Sequence, residues 1–184
     1  MNANTSACAL YLYPEPADFC IDDLAQFITR LQEYGFIGET ITNQESRFYT
    51  GNRFLDYIAY MGCSPAIQFE ASEGNEHFCF IRVHRYDMAK LIVSQKQPRA
   101  PHCPHCNKPV NEWQKNKTDE TLYCGQCDTT ANIAEFNWRK MAGYGRMFIE
   151  ISDIFPKEAI PQQILLDKLT AISKTDWSYF YSCQ

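Results

Sequence analysis

Cys103, Cys106, Cys124 and Cys127 are the residues best suited to chemistry in this chain. They form two Cys-x-x-Cys pairs with residues 107–123 between them. A two-residue spacer lets a tight turn aim both sulfurs at one point, and two such turns close a tetrahedral site of four thiolates. Zinc is the default ion for that donor set, and a rubredoxin-like iron site is the second tetrahedral fit. Four thiolates leave no position for water or substrate, so the expected Zn2+ is structural, and no catalytic residue is assigned. His102 and His105 flank the first pair, but four cysteines already complete the donor set, so both histidines read as solvated.

The two pairs read Cys103-Pro104-His105-Cys106-Asn107 and Cys124-Gly125-Gln126-Cys127-Asp128. Over about residues 102–131 this resembles a zinc ribbon, whose knuckles read Cys-Pro-x-Cys-Gly or Cys-x-x-Cys-Gly. The residue after each second cysteine is expected at positive φ. Asn107 and Asp128 stand where the family has glycine, and they are the next most tolerant types there. Cys103-Pro104-His105-Cys106 is also similar to the active-site tetrapeptide of disulfide-forming, thioredoxin-like oxidoreductases. That resemblance implies a thiol redox protein using Cys103 and Cys106, with the pair opening a helix that lowers a thiol pKa. Pro109 falls inside the first turns of any such helix, and the second pair stands at ribbon distance, so the metal reading leads.

The elements around these cysteines follow from apolar spacing. Residues 7–13 form a strand stopped by Pro14-Glu15-Pro16. Ile21, Leu24, Phe27, Ile28, Leu31 and Tyr34 recur at helical steps up to Gly35, and 36–42 form the next strand. A helix is expected over 50–61, strands over 66–70 and 77–85, and a linker over 94–101. Residues 88–93 fit either a helical turn or a strand end. Strands over 133–138 and 146–152, a helix entered at Pro161 and a strand over 177–181 complete the chain. The expected fold is α+β. It has a single mixed or antiparallel sheet with helices on one face, terminal β-α-β units and an inserted four-cysteine zinc ribbon. Residues 1–98 and 132–184 form one discontinuous domain around the insert at 99–131.

Other candidates carry weaker chemistry. Arg47 and Arg53 bracket one glycine-bearing loop, and Arg139, Lys140 and Arg146 lie on a second; these five are the candidate anion or nucleic-acid contacts. Within the ribbon, Arg99, Lys108, Lys115 and Lys117 balance Glu112, Asp119, Glu120 and Asp128, and the whole chain carries −5, which disfavours nucleic acid as a partner. Cys63 has no base tied to it by any motif and reads as a turn cysteine. His77 and His84 end one expected strand at an odd spacing, which turns them to opposite faces.

No run of eighteen apolar residues and no basic, apolar leader stands in the sequence, so neither a membrane span nor a secretory signal is expected. Cys8, Cys20, Cys63, Cys79 and Cys183 are scattered among apolar neighbours and read as reduced, which fits the cytoplasm. Trp113, Trp138, Tyr144 and Trp177 are candidates for exposed aromatic surface, with many of them expected to be core. Together these features point to a cytoplasmic zinc-binding accessory or regulatory protein. Its ribbon and α+β domain would form a surface for an unidentified protein partner. Nucleic-acid binding is the alternative.

Overall fold

The computed structural model describes residues 8–42, 44, 46–62, 67–70, 78–96 and 98–184. Cys63, His77 and the turn expected over 72–75 lie outside these residues; of the strand expected over 66–70, residues 67–70 are described and form no strand. The described chain is mixed α+β, with a mostly antiparallel sheet and three helices.

Six strands make the main sheet: β1 (Cys8–Pro14), β2 (Ile37–Thr40), β3 (Arg47–Thr50), β5 (Phe80–Val93), β8 (Ala142–Ser152) and β10 (Trp177–Cys183). Their order is β10-β1-β8-β5-β3-β2, and each hydrogen-bonded neighbour is antiparallel. The short strands β4 (Ile58–Tyr60) and β9 (Ala159–Pro161) pair apart from it. The terminal β-α-β order is present, but not as adjacent parallel strands. β1 and β2 are separated by three strands, and β1 itself fills the space between β8 and β10. Apolar spacing identifies a strand locally; its neighbour is set by contacts far away in the chain.

Helix α1 (Leu24–Glu33) starts later than its apolar pattern suggests. Asp23 Oδ1 accepts the Gln26 N–H at 2.9 Å, and this cap marks the first turn. Gly35, at φ 71°, ends it while the Phe36 N–H returns to the Leu31 carbonyl. The expected helix over 50–61 is one turn only, α2 (Phe54–Tyr57), because Ile58–Tyr60 finds a strand partner in β9. The 47–50 stretch, read as part of a basic loop, is β3; the turn beyond it is at Asn52 and Arg53. Residues 88–93 continue β5 after a register shift between Arg85 and Lys90. The expected strand over 133–138 opens as a 3-10 turn, Ile133–Glu135. There the Asn132 and Glu135 side chains each accept a backbone N–H from the other end of the turn.

Alternation along the strands separates two apolar clusters. Leu10, Leu12, Ile81, Val83, Ile149 and Ile151 share one with Phe27 and Leu31 of α1 and with Leu165 and Leu169 of α3 (Gln163–Ser173). Ala9, Tyr11, Phe148 and Phe180 form the other, with Tyr13 and Tyr86 against it. Tyr11 and Phe180 stack with centroids 5.1 Å apart. A Cβ on Gly143 would lie 2.3 Å from the Phe180 ring, so only glycine admits this stack.

One expectation about the cysteines is overturned. Cys8 and Cys183, register partners on β1 and β10, are joined by a disulfide. They sit at the two ends of the chain, where sequence spacing gives no sign that two strands will meet. Cys20 and Cys79 are free thiols.

Candidate metal centre

The four-cysteine segment belongs to the connection between β5 and β8, which are paired neighbours in the sheet. The first knuckle is a tight turn. The Asn107 N–H donates to the Cys103 carbonyl at 2.9 Å, and the Cys103 N–H donates to the Lys108 carbonyl at 3.0 Å. The second knuckle closes the hairpin of β6 (Thr121–Cys124) and β7 (Thr129–Asn132), with Cys124 opposite Thr129. Asn107 and Asp128 sit at φ 56° and 52°, the left-handed conformation expected of the residue after each second cysteine.

All four sulfurs lie within 4.8 Å of one another. Cys103 Sγ is 3.7 Å from Cys127 Sγ, and Cys106 Sγ is 3.8 Å from Cys124 Sγ. A tetrahedral ion with metal–sulfur bonds of about 2.3 Å needs sulfur–sulfur edges of about 3.8 Å. The donor set therefore fits a single tetrathiolate ion. Cys103 and Cys124 are buried, while Cys106 and Cys127 are half-buried.

The local electrostatics suit a thiolate at Cys103. Burial opposes ionisation there, but backbone N–H groups of Cys106 and His105 and the neighbouring thiols outweigh it and bring the pKa down to about 6. The His105 N–H reaches Cys103 Sγ at 3.4 Å. Cys124 is held up to about 11, chiefly by burial. Thr129, which the sequence reading passed over, places its hydroxyl 2.9 Å from Cys127 Sγ. Its signal was slight: a hydroxyl residue two places after a ligand.

The arm around the site packs through its own apolar cluster. Val110, Trp113, Leu122 and Ala131 meet Ile133, Phe136, Trp138, Ala142 and Tyr144. Trp113 and Trp138 contact edge to face at 5.0 Å, and the Tyr144 hydroxyl donates to the Asp119 carbonyl at 3.1 Å. The candidate surface aromatics are thus interior: Trp113 is 4% exposed, Trp138 7%, Tyr144 7% and Trp177 5%. The segment lacks a helical or strand period, so nothing local marks its inward side.

The five candidate anion contacts are dispersed, except that Arg139 and Lys140 line the same cavities. Arg53 Nε pairs with Asp56 at 2.9 Å, and Arg47 lies over the Phe80 ring on β3 and β5. Lys140 Nζ donates to Ser178 Oγ at 3.1 Å and sits 4.0 Å over the Tyr179 ring, with burial lowering its pKa. Arg146 donates from Nε to the Tyr86 carbonyl and from Nη1 to the Asp18 carbonyl. Arg139, exposed and at φ 56°, is the remaining member. Among the described residues, no helix is long and apolar enough to cross a membrane.

No protein-family model matches the chain, and no curated protein or solved structure matches it. The likeness to zinc ribbons rests on the cluster itself, which is compatible with a zinc-ribbon-like site.

Proposed function

We propose that the chain is a zinc-binding accessory or regulatory protein whose zinc ribbon fixes a surface for a protein partner. The observation that carries this reading is the pair of sulfur–sulfur edges, 3.7 and 3.8 Å, which suit a coordinatively closed ion. Such an ion holds structure and leaves no site for a reacting water. Iron is the alternative occupant and is separated from zinc by its visible absorption.

With Trp113 and Trp138 committed to the interior, the surface narrows to the outer side of the second knuckle. Tyr123 is 39% exposed there, and its hydroxyl donates to Asp128 Oδ1 at 2.6 Å, which holds the ring in place. A rigid, half-exposed tyrosine beside a short exposed loop, Gly125-Gln126, is a suitable anchor for a protein interface. The metal's part is to keep that knuckle in one conformation.

The test is affinity capture from native lysate with nuclease present. It compares the intact chain, Tyr123→Ala, and Cys124→Ser with Cys127→Ser, after zinc content and folding are measured for each. A protein partner lost with Tyr123→Ala while zinc is retained is the expected outcome. A partner that survives disruption of the arm, or capture of nucleic acid alone when nuclease is omitted, contradicts it.

A further inference from the structure

The sheet face opposite α1 and α3 holds a cavity of about 890 Å³, within the range of small-molecule sites. Strand register lays a row of side chains across its floor. Tyr11 stands opposite Glu150, Glu150 opposite Arg82, and Arg82 opposite Arg47.

Two like charges directly opposite on adjacent strands destabilise a sheet. Glu150, directly opposite Arg82, offsets that charge only in part, and it leaves Arg47 unrelieved. Its Oε2 is taken by His84 Nε2 at 2.6 Å and stands 4.0 Å from Arg82. Among the described residues, no carboxylate lies within ion-pair distance of Arg47. Asp153, the other acid of the lining, pairs with neither arginine. Arg47 bonds Gln44 through Nη1, but its Nε is buried without a hydrogen-bond partner. A buried donor left unpaired is costly.

Both guanidinium groups lie over one ring, Phe80, at 4.3 and 5.6 Å. Beside them Tyr49 and Phe78 stack at 5.8 Å, and Tyr49 is 37% exposed. This is an aromatic wall next to a cationic pair. On the far side the Glu150 carboxylate repels a negative group, so an anion is confined to the arginine side.

We propose that this face binds a small organic anion, a carboxylate or a phosphate ester, that carries a flat ring. The anionic head sits between Arg47 and Arg82, accepts from their guanidinium groups and cancels the repulsion of the pair. The ring lies along Tyr49 and Phe78. The site is separate from the metal centre and stands or falls independently of it.

Isothermal titration of the zinc-loaded full chain with phenyl phosphate, benzoate and benzyl alcohol tests this. The three share a ring and differ in the head. At least one anion is expected to saturate the protein, its chemistry naming the head group, with benzyl alcohol at least tenfold weaker. Arg47→Gln and Arg82→Gln are each expected to weaken the anion at least tenfold, the scale of a charge-assisted hydrogen bond. Lys117→Gln, exposed on the arm, leaves binding unchanged. Amide spectra establish that each variant is folded; if Arg82→Gln is not, Arg47→Gln alone decides. The proposal is overturned if neither anion binds at millimolar concentration, if benzyl alcohol binds as well as the anions, or if folded Arg47→Gln binds as the parent does.

Discussion

Removing the metal is expected to unfold the arm between β5 and β8 while the main sheet stays intact. Apart from the β6–β7 hairpin and two single 3-10 turns, the arm has little regular structure to hold it. Its core is a small set of side chains, Val110, Trp113, Leu122 and Ala131, packed against Ile133, Phe136 and Trp138. Metal binding contributes on the order of 10–16 kcal/mol to the folding of comparable zinc peptides, far more than so small a core supplies. Chelation is therefore expected to shift tryptophan emission to the red as Trp113 and Trp138 meet water. Trp177, which belongs to the separate cluster of α1 and α3, keeps its environment. Far-ultraviolet circular dichroism changes little, because the helices and the six-stranded sheet persist. Cys124→Ser is expected to lower zinc affinity by more than about 100-fold, beyond the 10–100-fold that losing an outer-shell partner costs. Emission that does not move on chelation contradicts this account of the arm.

Opening the Cys8–Cys183 bond is the second large effect. It ties the two ends of the chain across a sequence separation of 175 residues. On the chain-entropy model, closing a loop of that size stabilises the fold by up to about 5 kcal/mol. Cys8→Ser with Cys183→Ser is thus expected to lower the melting temperature by up to about 10–20 °C, read by calorimetry against the oxidised parent. Alkylation of the native, unreduced protein followed by peptide mapping checks the premise. Cys20, half-buried and 3.3 Å from Arg85 Nε, is expected to react. Cys79 is expected to resist, because burial, aided by Asp153, pushes its thiol up to about 12. Cys8 and Cys183 should be protected until a reductant is added. Free thiols at both positions would overturn the disulfide.

What could be read from the sequence was local. The spacing of Cys103, Cys106, Cys124 and Cys127 was enough to bring out the four-cysteine cluster, because two turns suffice to aim them. The tolerance of Asn107 and Asp128 for positive φ was legible for the same reason, since backbone sterics act within one residue. Helix α1 was visible in its apolar period, though only the Asp23 cap sets its first turn. What stayed hidden depended on contacts between distant segments. The alternation of Phe80, Arg82 and His84 against Ile81 and Val83 is plain in the sequence. That His84 meets Glu150 is not, because it requires β5 and β8 to pair across the whole arm. Trp113 and Trp138 could not be assigned to the interior because irregular segments bury side chains without a period. Arg47 fell into a supposed loop because Gly51 and Asn52 just beyond it have turn chemistry.

The most direct test of the central claim, a coordinatively closed four-thiolate ion, is X-ray absorption at the metal edge. It is applied to protein purified without added metal, together with elemental analysis. One zinc per chain with four sulfur neighbours at about 2.3 Å and no oxygen or nitrogen neighbour is the expected result. A shell containing a light-atom ligand would leave an open position and contradict a purely structural centre. A metal-free protein with Cys103 and Cys106 oxidised to each other would instead replace it with thiol redox chemistry.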